Sequence, residues 1–167
     1  MKQLGSLWIV LVLVAGCGEK RQRPLAWPAR ILGFEGFSDP DQQEGVLEAI
    51  RFLNEKMKTQ TIVSEGSGEA FEIVFQMVSP DPAAPRRVGR ANVYFEKCII
   101  EISSEVFAVQ NSDFLYPVVI HEIGHCAGLG HDDRLGELMY KTSARLSQYT
   151  EEALNRFVAG FHQAIHR

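Results

Sequence analysis

Three histidines in one short segment constrain this chain more than any other feature of its sequence. His121 and His125 are one turn apart on a helix, so their imidazole rings project from the same face and can approach one ion. Gly128 can adopt the positive φ that ends a helix and turns the chain back, which would bring His131 to the same point. Three neutral imidazoles with a fourth position open are typical of a catalytic zinc site. Glu122, beside the first histidine, is the candidate general base, because its carboxylate can take a proton from water instead of binding the metal.

The spacing His-Glu-x-x-His-x-x-Gly-x-x-His resembles the signature of the metzincin metalloproteases. Met139 lies eight residues after His131, within Leu-Met-Tyr, and this tripeptide resembles the Met-turn whose methionine packs beneath the metal. The resemblance implies a matrixin-like catalytic domain over 29–167. Its fold would be α+β, with a mixed, twisted sheet of four to five strands and three main helices. It also implies a zinc endopeptidase that acts on peptide or protein substrates.

The same resemblance leaves the subfamily and the cleavage preference open. Asp132 follows the third histidine, where matrixins generally have serine and adamalysin-like proteases have aspartate. The residues after Tyr140 lack the proline that often shapes the specificity pocket of matrixins. The loop 79–87 contains no histidine, so we expect no structural zinc in addition to the one catalytic ion, and calcium binding stays open. No matrixin-type pro-segment fits the sequence, which leaves open how activity is restrained.

The N-terminus has the pattern of a bacterial lipoprotein signal. Lys2 precedes an apolar run, 7–15, that is too short for the roughly 20 residues of a membrane-spanning helix. The run ends in Val-Ala-Gly-Cys, which resembles a lipobox, so we expect cleavage after residue 16 and a lipid on Cys17. An ordinary cleaved signal with a chance cysteine is the alternative. Residues 17–28 would form a tether. The expected location is the cell envelope. The residue after the cysteine, Gly18, resembles Gram-negative sorting patterns that favour the outer membrane.

Composition excludes some partners. The chain has 17 basic and 21 acidic residues, hence a net charge of −4, and the basic cluster of Arg86, Arg87 and Arg90 is short. A nucleic-acid partner is therefore not expected. A length of 167 residues suits one domain, which we expect to be monomeric.

If Cys17 is lipidated, Cys98 and Cys126 remain as a pair in an oxidising compartment. They could form a disulfide or stay as two buried thiols, and the sequence leaves both open. Cys126 is not expected to bind zinc, because it points about 100° away from His125 around the helix. His162 and His166 are also one turn apart but lack an acidic partner, so a second metal site is not favoured.

The rest of the chain gives the elements around this segment. We expect a strand at 30–34 and a helix that begins with a capping box formed by Asp39 and Gln42, with Pro40 in its first turn. The core-facing stripe of this helix is Val46, Leu47, Ile50, Leu53 and Met57.

Further strands are expected at 71–78, 91–95 and 98–102, although periodicity cannot separate the last two from one bent strand. By resemblance, 91–95 is the edge that lines the cleft. Pro117 should lie in the first turn of the catalytic helix, and Thr150 should start the last helix, with Leu154, Phe157, Val158, Phe161 and Ile165 as its apolar stripe.

Three other functions remain as alternatives. The histidines could have only structural hydrogen bonds, the protein could be a non-catalytic binding module stabilised by zinc, or it could cleave the peptide stems of peptidoglycan. A module that cleaves nothing would have no need of Glu122, so the presence of this carboxylate favours catalysis.

Overall fold

The computed structural model describes residues 27–63, 71–84, 87–108, 112–134, 136–141 and 148–166. The predicted signal and Cys17 lie outside these residues. The elements in chain order are β1 (Ala29–Glu35), α1 (Pro40–Met57), β2 (Ile62–Val63), β3 (Phe71–Val78), β4 (Gly89–Val93), β5 (Lys97–Ser103), α2 (Ser104–Ala108), α3 (Ser112–Cys126) and α4 (Glu151–Ile165). Among these helices, none combines the length and apolar character needed to cross a lipid bilayer.

The five strands form one mixed sheet in the order β2-β1-β3-β5-β4. All neighbours are parallel except β4, which runs antiparallel to β5 at the edge. The central strand β3 buries Phe71, Ile73, Val74 and Phe75, as expected of a parallel strand covered on both faces. Because β4 and β5 are antiparallel, residues 91–102 form two strands and not one bent strand. A tight turn joins them, in which the Tyr94 N–H donates to the Lys97 carbonyl at 2.8 Å. The predicted α+β fold with three main helices is confirmed.

Helix α1 begins at the predicted residue, but its cap differs from the prediction. The Asp39 carboxylate accepts a hydrogen bond from the Asp41 N–H at 3.0 Å, and Pro40 is the first helical residue. The capping box is not completed, because Oε1 of Gln42 is buried without a hydrogen-bond partner. Most of the predicted stripe is buried, with Ala49 in addition and Leu47 only partly buried.

Helix α3 passes through the core, where it buries Val118, Val119, Ile120 and Ile123. The prediction for Pro117 was wrong by one turn. Because α3 begins at Ser112, Pro117 is its sixth residue and lies inside the helix. Its missing N–H therefore removes one bond of the helical ladder, whereas in the first turn it would have removed none.

Helix α4 packs on the core through its apolar face. Oγ1 of Thr150 caps it by accepting from the Ala153 N–H at 3.1 Å, and Phe157 and Phe161 are buried. The ring of Trp27 packs edge-on against Phe161, with ring centroids 5.1 Å apart. Trp27 belongs to the segment predicted as a tether, and its ring packs on the core of the folded domain.

Candidate metal centre

The three histidines meet where α3 ends. Gly128 has a φ of 87°, and the Leu129 N–H donates to the Gly124 carbonyl at 2.9 Å, so the chain reverses after the last helical turn. This reversal carries His131 back to the helix. The Nε2 atoms of His121 and His125 are 3.1 Å apart, and those of His125 and His131 are 3.2 Å apart. The sequence-predicted set is therefore brought together.

Two backbone carbonyls determine which nitrogen of each helical histidine is available. Nδ1 of His121 lies 2.6 Å from the Leu138 carbonyl oxygen, and Nδ1 of His125 lies 2.8 Å from that of Leu129. A carbonyl can only accept, so each Nδ1 carries the proton and each Nε2 presents a lone pair. Two lone pairs facing each other repel unless a cation lies between them.

This donor set fits a zinc ion. Zinc–nitrogen bonds of about 2.0–2.1 Å in a tetrahedral arrangement separate the ligand atoms by about 3.3 Å. The two Nε2 separations given above are close to this value, and all three candidate ligand atoms lie within 4.8 Å of one another. The pKa of His121 is lowered to about 4, chiefly because the ring is buried. The hydrogen bond to the Leu138 carbonyl raises this pKa, and the neighbouring His125 and His131 lower it. Burial also lowers the pKa of His125. Both rings are therefore neutral near pH 7, the form that binds a metal.

The side chain of Glu122 extends from α3 towards the edge strand β4. The residue is 6% exposed, and burial raises the pKa of its carboxyl to about 7, while a hydrogen bond from the Ala91 backbone works in the opposite direction. A Cβ atom at Gly89 would lie 2.6 Å from Oε1 of Glu122. Only glycine lets the strand come this close to the carboxylate. Sequence reasoning missed Gly89, since nothing near it along the chain indicates the contact.

The predicted Met-turn packs under the centre. Met139 is 7% exposed, and a Cβ atom on Gly124 would lie 2.6 Å from its sulfur atom. The Met139 carbonyl accepts from the Asp132 N–H at 2.9 Å, which joins this turn to the segment that follows His131. Since the preceding residue, Leu138, holds the His121 ring, the Met-turn also sets the orientation of a candidate ligand.

A cleft of about 750 Å³ opens over the histidines. The edge strand β4 forms one wall, close to the segment 91–95 that the sequence predicted. The lining residues are Arg87, Val88, Gly89, Arg90, Ala91, Val93, His121, Glu122, His125, His131 and Lys141.

The remaining sequence candidates lie apart from the cleft. Cys98 and Cys126 form a disulfide that ties β5 to the last residue of α3. Cys126 is therefore occupied and is no candidate ligand. The rings of His162 and His166 stack 5.4 Å apart on α4, and within the part of the chain that the structure describes only the three histidines of the cleft form a metal-binding cluster.

Comparison with known proteins gives this centre a family. A sequence profile of the matrixins matches residues 40–156. No curated protein matches the chain. The solved structure of archaemetzincin from Methanopyrus kandleri is similar, with a TM-score of 0.57 at 14% identity, over 83% of this chain and 96% of that one.

A zinc-dependent peptidase from Methanocorpusculum labreanum aligns over 77% of this chain and 99% of its own, with a TM-score of 0.43 at 14% identity. At such low identity, the archaemetzincin supports the fold alone. Family membership comes from the profile, which extends over well more than half of the sequence: the chain belongs to the matrixin family.

Proposed function

We propose that this protein is a zinc-dependent endopeptidase in which His121, His125 and His131 hold one zinc ion and Glu122 is the general base. Membership of the matrixins already makes it a zinc-dependent metallopeptidase by family and fold. The observation that carries the finer proposal is the convergence of three imidazole nitrogens at the cleft, directly beside a buried carboxylate.

Zinc bound by three imidazoles supplies a Lewis acid that lowers the pKa of water to about 7 and polarises a carbonyl group. Glu122 would take the proton from the attacking water and pass it to the leaving amine. Its carboxylate is held for this task by the Ala91 backbone and by the close approach of Gly89. The carbonyls of Leu138 and Leu129 keep two histidine rings in the tautomer that binds metal.

The edge strand supports cleavage within a chain. One edge of β4 pairs with β5, and residues on both sides of Ala91, namely Gly89 and Val93, line the cleft. An extended peptide could add to the open edge by main-chain hydrogen bonds and continue in both directions past Glu122. The proposal also keeps the envelope location and the lipid on Cys17, which are supported by the sequence around that residue.

The test is Glu122→Gln in the full-length, zinc-loaded protein. This change preserves the shape of the side chain and removes its basicity, so we expect zinc content to equal that of the parent while peptide hydrolysis falls by about 10²–10⁴-fold. Glu55→Gln, an exposed change on α1, is the matched control and should keep full activity. Zinc content is measured by atomic absorption and hydrolysis with a peptide library, with and without a chelator.

Turnover by Glu122→Gln close to that of the parent would show that this carboxylate is not the base. Activity that survives complete removal of zinc would refute the metal-dependent reaction. Cleavage of purified cell wall, with no cleavage of any library peptide, would assign the site to peptidoglycan stems instead of proteins.

A further inference from the structure

The cleft carries a charge opposite to that of the whole molecule. The chain has a net charge of −4, yet three of the residues that line the cleft are cationic, namely Arg87, Arg90 and Lys141. Glu122 is the one carboxylate among these lining residues, which all belong to the described part of the chain. A concave site lined mainly by one sign of charge concentrates its field and attracts the opposite charge.

Arg90 differs from the other described arginines. All five others are in ion pairs: Arg30 with Glu72, Arg51 with Glu44, Arg87 with Asp81, Arg134 with Asp132, and Arg156 with Glu137. Arg90 has no such pair within the residues that the structure covers, although Glu101 is directly opposite on β5. The Glu101 carboxylate accepts from the side-chain amide of Asn92 at 3.1 Å.

Lys141 supplies a second exposed cation from a different element. It follows the Met-turn, lines the same cleft, and forms no ion pair with any described carboxylate. Arg87 contributes less, because Asp81 already balances its charge. The cleft therefore presents two cations, from the edge strand and from the segment after the Met-turn, that form no ion pair within the described residues.

We infer that the substrates are acidic peptides, whose aspartate or glutamate side chains near the bond that is cut pair with Arg90 and Lys141. The inference rests on the proposed peptidase function and adds the substrate class to it. A guanidinium binds a carboxylate through two parallel hydrogen bonds, which gives Arg90 the larger part in selection. Both cations are exposed, so the preference should be moderate and sensitive to salt.

The experiment uses zinc-loaded full-length protein and a set of matched peptides. One cleaved library peptide is remade with Glu, Gln or Lys at each position on either side of the bond that is cut. We expect kcat/KM for the Glu peptide to exceed that for the Gln peptide by roughly three- to fivefold at the most responsive position, with the Lys peptide lowest. The ratio should approach one in about 0.5 M NaCl.

Variants assign the preference to the two cations. In Arg90→Gln/Lys141→Gln the ratio of kcat/KM for the Glu and Gln peptides should fall to about one. Because the ratio is taken within one protein, a general loss of rate cancels. Arg51→Gln removes an exposed arginine from α1 and should keep the parent's ratio. Arg90→Glu should shift the preference towards the Lys peptide.

A measurement of peptide binding tests this inference independently of the proposed peptidase function. Anisotropy of fluorescent Glu and Gln peptides gives their Kd for the zinc-loaded protein whether or not they are cut. If no peptide is hydrolysed, the endopeptidase proposal fails, and tighter binding of the Glu peptide would still support the acidic preference. Equal kcat/KM or equal Kd for the two peptides, or a ratio that persists in the double variant, would overturn it.

Discussion

Burial of the Glu122 carboxyl should have a measurable effect on the free energy of unfolding of the zinc-free protein. Its pKa is about 7 in the fold, against 4.5 for the free group. The folded state therefore holds this proton more tightly than the unfolded state. The contribution of this carboxyl to the free energy of unfolding is fully present below about pH 4.5 and is lost as the pH rises through 7.

We predict that Glu122→Gln stabilises the zinc-free protein at pH 8 but not at pH 4.5, because glutamine cannot ionise. The difference in the free energy of unfolding should approach about 3 kcal/mol at pH 8, as an order of magnitude. Urea unfolding of both proteins at the two pH values measures it. A difference that does not change with pH would show that the carboxyl is not held protonated by burial.

Residues differ in how far the sequence predicts them, and the reason is the range of the interactions that position them. His121, His125 and Gly128 follow from the geometry of one helix and its end, so local spacing is sufficient. Gly89 and Gly124 are required by contacts with Glu122 and Met139, which belong to distant parts of the chain. No local pattern carries such a requirement, because it exists only after the strand and the Met-turn have packed on α3.

The elements show the same division. The pattern of α1 and α4 predicted their buried faces, since an amphipathic helix shows its contact with the core in its own sequence. The hairpin of β4 and β5 stayed ambiguous because apolar alternation does not reveal where a strand reverses. The edge position beside the cleft, close to β4, was predicted only through the family resemblance, and the order of the other strands was not predicted.

The Met-turn and α4 are joined by a partly buried ion pair between Glu137 and Arg156. Glu137 is 6% exposed and accepts from Nε of Arg156 at 2.9 Å. Arg156 also binds Glu152, whose side chain is 81% exposed. Since Leu138 follows Glu137 and its carbonyl orients His121, the ion pair should affect the metal centre as well as the fold.

We predict that Glu137→Gln lowers the free energy of unfolding by about 1–3 kcal/mol. Breaking a fully buried pair costs about 3–5 kcal/mol, and the exposure of Arg156 reduces this figure. The same change should weaken zinc binding in a titration against a competing chelator. Glu152→Gln is the control, with an expected cost under about 0.5 kcal/mol and unchanged zinc affinity. Equal effects of the two variants would contradict the assigned role.

At the scale of the whole molecule, one covalent bond joins the sheet to the helix that carries two of the histidines. Cys98 lies in β5 and Cys126 ends α3, with a sequence separation of 28 residues. Both residues are fully buried. The enclosed loop contains β5, α2 and α3, so the bond restricts the unfolded chain over the segment that builds the floor of the cleft.

The stability contributed by this bond follows from the length of the loop. Closing about 28 residues in the unfolded chain corresponds to about 3–4 kcal/mol in the chain-entropy account. We therefore predict that Cys98→Ala/Cys126→Ala lowers the free energy of unfolding by about that amount, measured by urea denaturation without reductant. Reductant added during unfolding should lower the stability of the parent to a similar extent and leave the double variant unchanged. A parent whose unfolding does not respond to reductant would show that the sulfurs are not bonded, and the position of His125 would then depend on packing and the Leu129 carbonyl alone.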